Sequence, residues 1–505
     1  MFPDSRGTFL VKSRLGLVVT LLVLFGLSLG LRLYDLTDLP LDFHPTRQLL
    51  SALKARGMYY QGNRDVPEWQ RKMAVQQWKT KAEVEPEVFE RLVSLTYRFT
   101  GVELWVPRIY ASVFWLIGGA FLFLLARDLG SSDGAVVAAA YYLFLPYAVI
   151  ASRSFQPDIM MIMLVICAWW ALARWANSPS WTRAIIAGLV GGLAIYVKFV
   201  AGFFVLGAAL AVGLGAFRGA LFRKPQVWAM AALGALPAGI YMYWGIVLRG
   251  FLGRQFSGRF IPELMLSPAH YVQWASLANA VAGGAAIMFG LLGLFLIPPG
   301  RVKGFLVGAW IAYVAFASFF DYHIATHDYY HLPLIPIVAL SLIPLAELIG
   351  MRLAVVAARP ALRLAAVAAF GYGLLSSAWE ARVQIKSVDY RPQAAMWAEI
   401  GHLLGHGPNV VALTQDYGSR LAYWGWQDAI IWPNSGDADY HEARGASIDF
   451  PELFSNLTVG NAYFLVTDFS ELSRQPQLQF QLNVLATYAQ GDGYIIYDLQ
   501  KLSAP

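Results

Sequence analysis

Two acids, a histidine and an arginine fall within ten residues at Asp38, Asp42, His44 and Arg47, in the stretch YDLTDLPLDFHPTRQLLSALKARGMYY (34–60). A carboxylate or neutral imidazole placed there has the chemistry of a general base, able to take the proton of a hydroxyl as its oxygen attacks. Arginine adds a permanent cation with a fork of donors suited to an anion. Three more groups of this kind follow. SRSFQPD (152–158) carries Arg153, Gln156 and Asp158, and Lys198 closes a Gly-rich apolar run. FDYHIATHDYYHLPL (320–334) carries Asp321, His323, His327, Asp328, Tyr329, Tyr330 and His331.

Each group also has an ordinary explanation. Asp42 or His44 reads equally as a cap on a helix opened by Pro45. Arg47 and Lys198 can run their stems along apolar surface and reach water, and Arg153 can pair with Asp158. Tyr329, Tyr330, Trp105 and Trp274 fit a membrane-interface belt as well as a sugar-stacking surface. His323, His327 and His331 are spaced by four, which would gather them on one helical face as metal ligands. Pro333 follows, however, and the segment reads as a turn, so a divalent metal is possible but not favoured.

The elements that position these residues are membrane spans. Of 505 residues, 57% are hydrophobic and 14% charged, with a mean hydropathy of +0.50; a soluble domain has about a quarter charged. The basic residues are scattered between apolar runs, which argues against nucleic acid as a partner. The single cysteine, Cys167, lies in an apolar run and forms no internal disulfide. About eleven runs are long enough to cross a bilayer: 15–33, 106–126, 134–151, 158–176, 183–199, 200–217, 227–247, 276–297, 303–320, 331–350 and 361–379. The first is too long for a signal peptide and lacks a small-residue cleavage site, so it reads as an uncleaved span.

With that number of spans, Arg6, Lys12, Arg14, Arg127, Arg174, Arg183, Arg218, Arg223, Lys224, Arg301, Lys303, Arg352, Arg359 and Arg363 all fall on one side. That side is cytoplasmic by the positive-inside rule. The N-terminus is then cytoplasmic, and every acid-and-histidine group above lies on the outer face.

Two outer segments are substantial. The first outer loop, 34–105, holds an amphipathic helix after Pro45, with Leu49, Leu50, Leu53 and Met58 opposed to Arg47, Ser51, Lys54 and Arg56. Such a helix is expected to lie along the membrane surface. A second amphipathic helix is expected over 86–100. The tail, 380–505, shows strand-like runs at 409–414, 429–432, 462–469 and 494–499, with helical patterning at 391–404 and 471–482: a small α/β domain. The division expected is a catalytic membrane domain over 1–379 and an extracytoplasmic α/β domain over 380–505.

Residues 103–206 carry a resemblance. ELWVPRIYASVFWLIGGAFLFLLARDLGSSDGAVVAAAYYLFLPYAVIASRSFQPD, one further span, then GLVGGLAIYVKFVAG resembles glycosyltransferase family 39 of the GT-C fold. That bacterial group contains protein O-mannosyltransferases and the aminoarabinose transferases of lipid A. YYHLPLIP and an outer C-terminal domain fit the same pattern. The resemblance implies a multi-pass transferase of the bacterial plasma membrane; with lysine, arginine and histidine able to meet the charge of a leaving phosphate, no cofactor is expected. Its donor would be a polyprenyl-phosphate-linked sugar, and its acceptor a hydroxyl on a lipid, glycan or protein. A carboxylate of the first outer loop would act as base, with inversion at the anomeric carbon.

The family's usual Asp-Glu pair is absent here. Aligning its arginine on Arg47 puts that pair on His44 and Pro45, with Asp42 the nearest acid, so the base is Asp42 or His44. Arg47, Arg153, Asp158, Lys198, His327, Tyr330 and His331 are the expected donor and phosphate contacts. A transporter of a lipid-linked sugar is the alternative. It should place charges near the bilayer midplane in two related halves, whereas these charges gather at one face and no half-repeat is evident.

Overall fold

Proline, serine and glycine set many of the helix boundaries. The computed structural model describes residues 13–81, 85–256, 260–356, 360–407, 409–443 and 449–502; Arg6, Lys12 and Arg359 of the charge pattern lie outside them. Ser13, Ser131 and Ser180 accept from the backbone N–H of Gly16, Gly134 and Arg183 and so begin three helices. Pro45, Pro157 and Pro225 each sit in a first turn, where a missing N–H is harmless.

Two units emerge. The first comprises Met1–Thr37, Ala82–Phe89 and Trp105–Ser387. Among its described residues seven helices are long and apolar enough to cross a membrane. These are Arg14–Leu33, Trp105–Leu129, Pro157–Asn177, Ala201–Arg223, Pro225–Leu248, Arg301–Phe319 and Asp328–Leu353. An eighth is the pair Pro268–Ala282 and Gly284–Leu296, bent by 93°. Gly283 makes that bend with φ +77°, open to glycine at little steric cost. The apolar run 134–151 is also helical but is interrupted before Pro146, giving Ser132–Phe144 and Pro146–Ala151. The runs 183–199 and 361–379 fall in Trp181–Val197 and Pro360–Ile385. Small residues let helices approach closely: Gly207 faces Ala312, and Gly308 faces Ala211.

The second unit comprises Asp38–Lys81, Glu90–Leu104 and Val388–Pro505. The first loop thus contributes most of its residues to the unit that contains the C-terminal domain. A five-stranded sheet runs in the order β2-β1-β3-β5-β4. Its strands are β1 (Val410–Leu413), β2 (Ile430–Ile431), β3 (Tyr463–Val466), β4 (Leu485–Gly491) and β5 (Tyr494–Leu502). β1 is parallel to β2 and β3, with Val410 opposite Tyr463, while β5 is antiparallel to β3 and β4. All four residues of β1 are buried, as expected for a central parallel strand covered on both faces. Val410, Ala412, Leu465 and Ile496 pack under Trp397 and Ile400, whereas Val411, Leu413, Phe464 and Val466 pack under Trp432, Leu478 and Leu482. Four strands match the runs read from sequence. The fifth, β4, has no apolar alternation to announce it.

The helix after Pro45 corrects an expectation. Pro45–Gly62 does not present one apolar face with its polar side free: Gln48, Ser51, Lys54 and Arg56 are buried along with Leu49 and Leu53. Ser51 Oγ donates to Glu90 at 2.7 Å. The Arg56 guanidinium donates to the carbonyls of Tyr423 (2.5 Å) and Ala422 (2.9 Å) and to Gln77 Oε1 (2.7 Å). It also lies 3.9 Å from the Trp426 ring centroid. Internal partners compensate the polar face, so the helix is packed all round. The second expected amphipathic helix is present as Val88–Thr100, and a further helix, Glu68–Thr80, precedes it.

Candidate functional site

The expected site residues fall into two groups, one in each unit. In the membrane unit the centre is Lys198. It ends the Trp181–Val197 helix as an extended residue, and its N–H still donates to Ala194 O. Asp158 sits in the first turn of Pro157–Asn177, where the helix dipole favours a negative charge. The ammonium Nζ donates to Asp158 Oδ1 at 2.7 Å and Oδ2 at 2.8 Å, and Glu85 Oε1 is a third neighbour at 3.7 Å. The three side chains are 8%, 4% and 16% exposed, so two carboxylates share one buried ammonium.

Aromatic rings surround that pair. Nζ is 5.5 Å from the centroid of Tyr329 and 5.8 Å from that of Tyr330, within cation–π range. Tyr330 stacks on His323 at 5.1 Å and on Phe316 at 5.8 Å, and His327 lies 5.3 Å from His323. A small cavity is lined by Asp158, Met161, Lys198, Phe316, Tyr329 and Tyr330.

The histidines do not share a helical face. Helix Asp321–Thr326 ends at His327, which is extended (φ −126°, ψ 107°), and a short 3-10 turn follows. His331 faces inward: Nδ1 meets Tyr313 Oη at 2.7 Å and Nε2 meets Ile324 O at 2.9 Å, and the residue is fully buried. Among the described residues no cluster of three or more His, Cys, Asp or Glu is arranged to hold a metal ion. Arg153, also buried, donates to Asp35 O at 2.9 Å, and Asp35 pairs with Lys386 at 3.0 Å.

In the other unit Asp42, His44 and Arg47 are all half-buried. His44 is the residue preceding the helix and adopts a left-handed conformation (φ 44°, ψ 65°) with no capping bond from its side chain. Its carbonyl accepts from Arg47 N and Gln48 N. Gln48, fully buried, folds back over the turn and donates to Phe43 O at 2.6 Å, Pro40 O at 3.3 Å and Asp42 Oδ1 at 3.5 Å. Asp38 is taken up by the backbone, accepting from Leu39 N at 2.8 Å and Tyr390 N at 3.0 Å. The Tyr390 phenol is pushed above its ordinary value by burial first and by the Asp42 carboxylate second.

Sequence reasoning missed Glu85, Tyr390, Asp416, which accepts from Thr46 Oγ1, and Arg420, the ion-pair partner of Asp416. Glu85 is one of several acids in KAEVEPEVFE (81–90) and has no distinguishing spacing. The other three come from the C-terminal domain, too far along the chain for any motif to connect them to Asp42.

Residues 84–244 match the family model of dolichyl-phosphate-mannose-protein mannosyltransferase. No curated protein matches the chain by sequence. Among solved structures, ArnT from Cupriavidus metallidurans in the apo state superposes with a TM-score of 0.62 at 16% identity, over 96% of this chain and 97% of that one. ArnT bound to undecaprenyl phosphate gives 0.59 at 17%, over 96% and 97%. The Archaeoglobus fulgidus oligosaccharyltransferase in complex with Zn and sulfate gives 0.55 at 14%, over 95% and 73%. The chain is a multi-pass membrane protein with the GT-C fold that the resemblance over 103–206 implied.

Proposed function

We propose that the chain is an inverting glycosyltransferase. It moves a sugar from a polyprenyl-phosphate-linked donor to a hydroxyl on a lipid, glycan or protein, at the outer face of the bacterial plasma membrane. The observation that carries this is the buried Lys198–Asp158–Glu85 cluster under Tyr329 and Tyr330. It lies in a membrane unit whose fold matches a protein solved with undecaprenyl phosphate. Ionisable groups inside a membrane protein are costly and mark pathways or sites.

Asp42 is the base. It takes the acceptor proton as the acceptor oxygen bonds to the anomeric carbon from the face opposite the phosphate. The carbon–oxygen bond to the phosphate breaks, and the lipid phosphate leaves with the electron pair. Lys198 answers the charge on that leaving group. Asp158 stays on Lys198 through both oxygens, while Glu85, the looser partner at 3.7 Å, gives way to phosphate. His327 and Tyr330 contact the donor, with Arg47 and Arg153 as further cations. His331, with both ring nitrogens engaged, braces the turn that carries Tyr330. The N-terminus is cytoplasmic and the C-terminal domain lies outside.

The test is transfer from a labelled polyprenyl-phosphate hexose to hydroxyl acceptors in proteoliposomes, with Asp42→Asn and Lys198→Met alongside the parent chain. Asp42→Asn should lower turnover by about 10²–10⁴. Full turnover in both variants would sink the site, and label delivered to the lumen without transfer would favour the transporter.

A further inference from the structure

The C-terminal domain carries an unusual loop. After β1 the chain runs through Asp416 (φ 55°), Tyr417 (φ 51°) and Gly418 (φ 71°), three successive left-handed residues, before the helix Ser419–Trp424 begins. Only glycine takes this conformation freely. Strain of roughly 1–3 kcal/mol per residue persists only where surrounding structure fixes it. The loop leaves the carboxyl end of β1 with parallel neighbours β2 and β3 on either side, the switch point where open α/β sheets usually bind a ligand. Here that crevice is closed by a reciprocal pair: Gln415 Nε2 donates to Thr467 O and Thr467 Oγ1 donates to Gln415 Oε1, both at 2.9 Å.

The strained loop instead presents Asp416 to the candidate base loop. Thr46 Oγ1, two residues after His44, donates to Asp416 Oδ1 at 3.0 Å. Asp416 Oδ2 is held by Arg420 Nε, and Arg420 NH1 donates to Gln393 Oε1 at 2.7 Å. At the other end of the same loop Asp38 accepts from Tyr390 N. The segment 38–46, with Asp42 in its middle and the left-handed His44 near its end, is therefore tied at both ends to residues of the C-terminal domain. Asp416 and Arg420 are only 12% and 15% exposed at the side chain, so the tie is shielded from competing water.

We infer that Thr46 and Asp416 are positioning residues of the transfer reaction: the C-terminal domain sets the geometry of Asp42 through this hydrogen bond. The inference rests on the proposed role of Asp42 as base. Asp416 never touches substrate; it acts through Thr46, and Arg420 holds it in place. A base displaced by about 1 Å costs roughly a hundredfold in rate, so a single tie of this kind can govern turnover.

Thr46→Val keeps the shape of the side chain and the Asp416–Arg420 pair but removes the donor, whereas Thr46→Ser keeps the donor. Turnover, donor KM, the pH dependence of turnover, the thermal midpoint and amide exchange over 38–48 are read on the full-length protein. Expected for Thr46→Val are a roughly tenfold or greater fall in kcat with little change in KM, a displaced acid limb of the pH profile, faster exchange over 38–48, and an unchanged thermal midpoint. Thr46→Ser should behave as the parent. The inference is overturned if Thr46→Val keeps full kcat, if its loss merely tracks a lower midpoint, or if Thr46→Ser is equally damaged. An Asp42→Asn variant with full turnover would refute the base assignment alone. Exchange over 38–48 then still decides whether Thr46 and Asp416 order the loop.

Discussion

Lys198 holds both carboxylate oxygens of Asp158, at 2.7 and 2.8 Å, in a setting where neither side chain is more than 8% exposed. Removing one partner strands the other's charge. Lys198→Met should destabilise the membrane unit by about 3–5 kcal/mol, because Asp158 loses the cation that both its oxygens engage. Lys198→Met combined with Asp158→Asn should recover much of that stability without restoring transfer. Thermal unfolding in detergent beside a transfer assay reads both, and additive losses in the double variant would show that the pair is not coupled.

His44 tests the division of labour in the base loop. Its left-handed backbone costs an L-residue about 1–2 kcal/mol. Glycine is indifferent to that conformation. His44→Gly should match or exceed the parent in thermal stability and retain transfer within about tenfold, as the proposed assignment of proton removal to Asp42 requires. His44→Ala should give no such gain. Loss of transfer in His44→Gly as deep as in Asp42→Asn would move the base to the imidazole.

Arg56 should resist even conservative change. Its guanidinium reaches two carbonyls and Gln77 and lies against the rings of Tyr423 and Trp426. Lysine carries the charge but not the planar fork. Arg56→Lys should cost about 2–3 kcal/mol through unmade charged hydrogen bonds, read as a lower midpoint followed by tryptophan fluorescence. A midpoint equal to the parent's would contradict the geometry.

Alkaline pH offers a further handle. Burial pushes the Tyr423 phenol up to about 12, partly opposed by Arg56, and Tyr97 is raised by burial as well. A phenol ionises at about 10 in the unfolded chain. The contribution of Tyr423 is therefore fully present below that value and is lost as pH rises towards 12. The second unit should lose stability over this window, and Tyr423→Phe should flatten the loss. Absorbance titration of phenolate beside thermal melts at pH 9 to 12 would check it.

Much of this was legible because the signals are local. Apolar length reveals spans, short apolar runs reveal β1, β2, β3 and β5, and a lone lysine closing a Gly-rich run points to Lys198. What stayed hidden depends on long-range pairing. The amphipathic reading of 45–60 failed because Arg56 and Ser51, polar by type, find buried partners in Tyr423, Gln77 and Glu90. The turn read at 320–334 is present: the backbone extends at His327, so 323, 327 and 331 do not share a helical face despite their spacing. Glu85 carried no pattern of its own, and no local rule connects Thr46 to Asp416.

That the second unit is assembled from residues 38–81, 90–104 and 388–505 has a consequence in time. Asp42 is synthesised early, yet Tyr390 and Asp416, which tie its loop, lie 352 and 370 residues beyond their partners Asp38 and Thr46, a wait of roughly 20–70 s at ordinary rates of about 5–20 residues per second. Throughout that interval the spans are being inserted while the base loop lacks its C-terminal anchors. On the proposed role of Asp42, a chain truncated before residue 388 would therefore occupy the membrane with its base loop untied, and it would transfer little sugar.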